Sequence, residues 1–343
     1  MVPMNDDDWS DLLVLANTHL LTPSLAAALE ARRYTLPRDV VDYLDHIVEA
    51  NRVRNDAVRR QAQELIRAFN RIGIVPLLLK GVLMALHENG IGARTRMMAD
   101  IDVVVLPASK QQAIDAMHRL GYRARMLYPQ GHHAVGEFVR DGDAAAVDLH
   151  LELIDQNYIL PAAEAWSAAE TARSADVVYR VPSPTHRVLH NILHAQIHHR
   201  GGFYLGEMDL RQLYELAYLA RTYRASIDWP GIEERLSAHR LGVMLHSYLS
   251  LAGRIMGLAW PLPRPCCPMA RFHAWRCRLQ VQSPILGHVL TPWANLRSAL
   301  AWHRMAHLYG LAGGSPILWR WRHIAHLFGS MRWAVMVEKL MRP

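Results

Sequence analysis

The chain has 343 residues, 51% of them apolar and 20% charged, which excludes a disordered polypeptide and allows two or three compact units with their own cores. Its three cysteines, Cys266, Cys267 and Cys277, are odd in number and clustered late, which excludes a disulfide framework and suits a reducing cytoplasm. The net charge of +7 resides in the tail: from residue 255 onward eleven Lys and Arg face one acid, Glu338, so the tail carries +10 and the remainder, 27 basic minus 30 acidic, carries −3.

The opening MVPMNDDDWSDLL is acidic and has neither the basic start nor the apolar run of a secretion signal. Residues 9–31 and 37–72 show helical apolar spacing without strand alternation, an N-terminal helical layer over 1–72. IVPLLLK (74–80) reads as a short strand ending at Gly81, VLMALHEN as a helix, and ADIDVVVL as a second strand closed by Pro107. SKQQAIDAMHRLGY gives a helix stopped by Gly121, and RARMLYP is a candidate third strand. HHAVGEFVR and AAAVDLHLEL flank Asp141-Gly142-Asp143, a hairpin signal. This order predicts a small α/β core with a mixed sheet over 73–158. After Tyr158 the alternation stops, and a helix from near Thr185 followed by two more helical stretches predicts a helical domain over 159–260. WPLPRPCCP reads as a linker into a basic tail over 261–343, with helices near 294–309 and 316–341. The most apolar windows, 74–86 and 241–262, are broken by Lys80 and by His246 and Arg254, so no transmembrane helix is expected.

Chemistry concentrates in the predicted core. In an extended chain Asp100 and Asp102 share a face while Ile101, Val103 and Val105 take the other, and VDLHLEL puts Asp148, His150 and Glu152 together. Carboxylates so crowded resist joint ionisation unless a cation compensates them, and Mg²⁺, with its oxygen ligands and octahedral geometry, is the usual solution. Asp100, Asp102 and Asp148 on adjacent strands therefore read as metal ligands of a two-metal phosphoryl-transfer site. Glu152 reaches further along the strand and suits a salt-bridged edge better. His150 is a candidate to orient a carboxylate or the acceptor, set against the ordinary reading of a satisfied, partly buried histidine.

LLLKG, R-x-R-x-x-x-DID and VDLH, followed by HxxxHxxxH, MDLRQL and SIDWPGIEERL, together resemble the bacterial nucleotidyltransferase family called NTP-transferase type 5, a branch of the DNA polymerase β-like superfamily. The resemblance spans 72–262. It implies an α+β fold, a small mixed-sheet polymerase β-like core flanked by N-terminal helices and a larger C-terminal helical domain, and Mg²⁺-dependent transfer from a nucleoside triphosphate (NTP). Asp100 and Asp102 would grip the triphosphate through one ion, and with Asp148 hold a second that activates the acceptor, with pyrophosphate expelled. The wider superfamily has Gly-Ser at the turn before the D-x-D strand, where this chain has Lys80-Gly81. Gly81 still admits close backbone approach to a phosphate and Lys80 brings a point charge. Arg94 and Arg96 are candidates for phosphate oxygens, with a solvated loop as the alternative.

His186, His190, His194 and His198 recur every four residues with His199 beside them, a polar helix face better suited to lining a cleft than to zinc, since no Glu completes a zincin motif. His132 and His133 are further cleft candidates. Asp209 reads as a helix cap. Cys266, Cys267, His273 and Cys277 make a poor zinc set, adjacent cysteines being awkward around one ion. From residue 255 onward the chain holds seven of its ten tryptophans among the tail's arginines, and Trp319, Ile324, Leu327, Met331 and Val335 form an apolar stripe. It suits packing on the helical domain, or peripheral contact with a membrane or protein, better than nucleic acid. The expectation is a cytoplasmic enzyme moving a nucleoside monophosphate to a hydroxyl or phosphate acceptor. Transfer of the γ-phosphate at the same site, and a non-catalytic scaffold acting through the tail, are the competing readings.

Overall fold

The computed structural model describes residues 4–88, 94–198, 202–309 and 316–329. The chain divides into two compact units, Met1–Arg187 and Val188–Pro343.

The first unit opens with helices α1 (Asp6–Thr18), α2 (Thr22–Leu29) and α3 (Arg38–Arg71). Asn5 starts α1 through a reciprocal capping box: its side chain accepts from the Asp8 N–H at 2.8 Å and the Asp8 carboxylate accepts from the Asn5 N–H at 3.0 Å. With 34 residues, α3 is about 51 Å long. Val58, Ala62, Leu65, Ile66 and Phe69 recur at helical spacing along α3 and are fully buried. The larger of these side chains each contribute about 1.5–3 kcal/mol by leaving water. Polar positions on α3 satisfy backbone that no ladder reaches. Gln61 Nε2 donates to the Ala145 carbonyl at 2.8 Å and its Oε1 accepts from the Ala145 N–H at 3.1 Å. Asn70 makes the matching pair with Val178, at 2.9 and 2.8 Å.

Seven strands follow: β1 (Leu77–Leu78), β2 (Asp100–Val104), β3 (Arg123–Leu127), β4 (Ala134–Val139), β5 (Ala146–His150), β6 (Glu170–Ser174) and β7 (Val177–Val181). Their order in the sheet is β3-β4-β5-β2-β1-β7-β6. The β2–β5 and β1–β7 pairs are parallel and the others antiparallel. Helix α4 (Lys80–His87) leaves β1 directly, α5 (Lys110–Arg119) connects β2 to β3, and α6 (Ala162–Ser167) precedes β6. Ile101, Val103, Val147, Leu149 and Phe138 join the α3 stripe in one core.

Two elements differ from expectation. The strand read over 74–80 pairs only at Leu77 and Leu78, because Pro76 has no N–H to give and contributes only its carbonyl, to the Arg180 N–H at 2.8 Å. The helical reading after Tyr158 misses the β6–β7 hairpin. Val177, Tyr179 and Val181 are buried at alternate positions, yet the turn is Ala175-Asp176 with Ala175 at φ +53°, not the Asn-Gly or Asp-Gly that announces such turns.

The second unit takes up α7 (Pro184–Gln196) from Val188 and continues through α8 (Gly202–Leu205), α9 (Leu210–Thr222), α10 (Trp229–Ala238), α11 (Gly242–Met256), α12 (Pro268–Gln282), α13 (Pro284–Ala299), α14 (Trp302–Tyr309) and α15 (Pro316–Gly329). Leu193, Leu213, Leu216, Leu236, Met244 and Leu245 are buried in it. Among them Asn191 Nδ2 donates to Gln212 Oε1 at 2.9 Å and accepts at Oδ1 from the Tyr248 hydroxyl at 3.2 Å. Asp209 caps α9 as read, accepting from the Arg211 and Gln212 N–H groups at 2.9 and 3.2 Å. His199, Met331, Trp333 and Val335 lie outside the described residues. Among those described, no helix is long and apolar enough to cross a membrane. The architecture is the α+β class expected, helices leading into a mixed sheet and a helical unit following it.

Candidate active site

Parallel pairing of β2 and β5 sets Asp102 opposite Asp148, Asp100 opposite Ala146 and Val104 opposite His150. The strand period puts Asp100, Asp102, Asp148 and His150 on one face, leaving Ile101, Val103, Val147 and Leu149 for the core.

On that face Asp102, Asp148 and His150 offer ligand atoms all within 4.8 Å of one another. Asp102 is 1% exposed. Its Oδ1 accepts from Lys80 Nζ at 2.8 Å and meets His150 Nε2 at 3.1 Å, whereas Oδ2 is buried without a partner among the described residues. Burial by itself would raise the Asp102 pKa, but the Lys80 ammonium and the His150 bond outweigh it and hold the carboxyl well below the usual range. Burial likewise opposes the charge on Lys80, and the Asp102 and Asp100 carboxylates more than compensate, so its pKa is raised. Asp148 goes the other way: burial, then the charges of Asp102 and Asp100, push it up to about 7. Burial lowers His150. An ionised Asp102 only accepts, so the proton of the neutral imidazole belongs on Nε2.

Lys80 stands at the strand-to-helix turn with φ +47°, a left-handed conformation that costs a non-glycine residue about 1–2 kcal/mol. Its ammonium reaches a carboxylate there. Gly81 is buried, and a Cβ on it would lie 2.8 Å from Arg96 Nε and 2.9 Å from Met98 Cγ. The residue is thus needed for the close approach of the Arg96 segment. That segment is held from α3, where Asn51 Nδ2 donates to the Arg94 carbonyl at 3.0 Å, Asn55 Nδ2 to the Arg96 carbonyl at 2.8 Å and Arg54 Nε to the Met98 carbonyl at 2.7 Å.

The structure therefore gathers Asp102, Asp148 and Lys80, and sets Arg96 against Gly81. Arg94 is exposed. Asp100 is half-buried and outside the three-residue cluster, near enough for its charge to act on Lys80 and Asp148. Glu152 accepts from the Ala162 N–H at 2.8 Å, at the start of α6, a capping contact. His133 Nδ1 lies 2.5 Å from Asp155 Oδ1 and its ring 5.3 Å from that of His150. His132, His133 and Asp155 form a second cluster of ligand atoms. Asp155, Asn51 and Asn55 are unforeseen. Asp155 sits in an irregular stretch without periodicity, and the two asparagines carry no signal beyond being polar on a buried helix face. His186 Nδ1 meets Ser183 Oγ at 2.6 Å, and the His190, His194 and His198 rings follow one another at 5.8 and 5.2 Å. Among the described residues this stripe joins no metal-ligand cluster.

No curated protein matches the chain. Among solved structures, that of the antibiotic-resistance factor ANT(2'')-Ia, determined in solution, is similar at 13% identity with a TM-score of 0.30, covering 67% of this chain and 94% of that one. A family model described as an uncharacterised nucleotidyltransferase matches residues 5–257. That span takes in the helical layer, the whole sheet with its carboxylate face, and the helices to the end of α11, so the chain belongs to this nucleotidyltransferase family and is an enzyme of that class.

Proposed function

We propose that the protein moves a nucleoside monophosphate from an NTP to a hydroxyl or phosphate of its acceptor, with Mg²⁺, at Asp100, Asp102 and Asp148. The observation that carries this reading is the register of β2 and β5, which faces Asp102 with Asp148, together with an Asp102 Oδ2 that is buried without a partner among the described residues. An orphaned carboxylate oxygen beside a second carboxylate fits a hard cation with oxygen ligands. Asp102 and Asp148 would hold it, with Asp100 alongside, and when bound it neutralises charge on the phosphates. Arg96 and Arg94 grip phosphate oxygens. The acceptor oxygen bonds to the α-phosphorus, the bond to the bridging oxygen breaks, and pyrophosphate leaves. The acceptor's proton passes to the Asp148 carboxylate, which stands beside Asp102 on the same face.

Lys80 would support γ-phosphoryl transfer if it faced the phosphates, but its ammonium is engaged by Asp102, so nucleotidyl transfer is favoured. Incubation with Mg²⁺ and α- or γ-labelled NTPs, with a cell extract as acceptor source, separates the two. Label from the α-phosphate in an acceptor, lost in Asp102→Ala, is expected. Transfer from the γ-phosphate alone, or transfer that survives Asp102→Ala, would overturn the reading.

A further inference from the structure

We infer that the Lys80 ammonium takes the place of one of the two cations expected on this face, so that the site binds a single divalent ion, through Asp102 Oδ2 and Asp148. The inference rests on the nucleotidyl-transfer reading and concerns the same site.

A carboxylate that bridges two ions gives one oxygen to each. Asp102 has only one to give. Its Oδ1 already meets Lys80 Nζ at 2.8 Å and His150 Nε2 at 3.1 Å, and among the described residues the buried Oδ2 has no partner. The lysine is also hard to dislodge. The Leu79 N–H donates to the Asp102 carbonyl at 3.2 Å, tying the chain just before the lysine to the same residue. The turn holds Lys80 at φ +47°, and its side chain is 19% exposed against 1% for Asp102. A second ion at the usual separation of about 3.5–4 Å would have to use Oδ1 and displace the ammonium. A lysine is suited to the substitution because its charge is compact and its three N–H donors rotate.

The test is electron paramagnetic resonance of the full chain with Mn²⁺ and α,β-methylene analogues of the four ribonucleoside triphosphates, which bind without being cleaved. Wild type is expected to saturate at one Mn²⁺ per chain with the spectrum of an isolated ion, and Lys80→Ser to take up a second ion and show the dipolar broadening of a close pair. A coupled pair in wild type overturns the inference, as does a Lys80→Ser protein that folds and still takes one ion. Wild type decides the matter even if the variant does not fold. If a coupled pair accompanies transfer of α-label, only the single-ion assignment fails. If wild type takes up no Mn²⁺ at all, the metal reading of the site fails with it.

Discussion

Removing Lys80 should expose how far the buried ion pair holds the sheet together. Asp102 is 1% exposed and Lys80 19%, with 2.8 Å between Nζ and Oδ1. Breaking a buried pair by deleting one partner costs about 3–5 kcal/mol, because the remaining charge keeps its desolvation penalty. Partial exposure of the lysine puts Lys80→Met near the lower end, about 3 kcal/mol, with His150 then the remaining partner of Asp102 among the described residues. Asp102→Asn should cost about 2 kcal/mol by leaving the ammonium beside a neutral amide. Since both changes remove one interaction, the double variant should fall short of the sum by about 2 kcal/mol. The assay is hydrogen exchange of the β2 and β5 peptides over a urea series, with chelator present. Added Mg²⁺ should restore protection to Lys80→Met more than to the double variant, since only the former keeps the Asp102 carboxylate. Single-variant effects that sum to the double within about 0.5 kcal/mol would refute the coupling and leave Lys80 a bystander.

Gly81→Ala gains helix propensity but drives a methyl to 2.8 Å from Arg96 Nε and 2.9 Å from Met98 Cγ. Overpacking of about 1–3 kcal/mol exceeds the gain of about 1 kcal/mol, so melting temperature and transfer rate should both fall, and an unchanged rate would place Arg96 outside the site. His150→Ala should weaken Mn²⁺ binding about 10–100-fold, as loss of a group orienting a ligand does, read by calorimetry; no change would mean that Asp102 is oriented without it. Burial lowers His273 and His303, each to about 3, below their unfolded value of about 6.5. The unfolded chain therefore binds more protons, and stability is lost as pH falls from about 6.5 toward 3, by about 2 kcal/mol per histidine at pH 5. His273→Gln and His303→Gln should each flatten the pH dependence of unfolding by that amount, and slopes equal to wild type would show that these imidazoles charge freely in the folded protein.

The carboxylates are legible in the sequence because a strand's two-residue period fixes the face of Asp100, Asp102, Asp148 and His150 once the strands are recognised. Which of them converge is not legible. Register sets Asp102 against Asp148, and it depends on pairing between segments that say nothing of each other locally. The destination of Lys80 is hidden for a related reason, since residue type and spacing leave its side chain free to turn to phosphate or carboxylate, and the φ +47° turn decides. Asn55, Gln61 and Asn70 resemble flaws in the α3 stripe until the backbone groups of Arg96, Ala145 and Val178 are seen opposite them.

The placement of Lys80 also bears on the order in which the site assembles. The ammonium reaches Asp102 across 22 residues, through the antiparallel β1–β2 pair, whereas His150 arrives from 48 residues away with the parallel strand that carries Asp148. Closing the shorter loop is favoured by about 0.7 kcal/mol in chain entropy, and non-local parallel pairing is slow. An early β1–β2 pair would put the compensating ammonium in place before the second carboxylate comes in, so that Asp148 would meet an Asp102 charge already offset by Lys80, with Asp100 still repelling it.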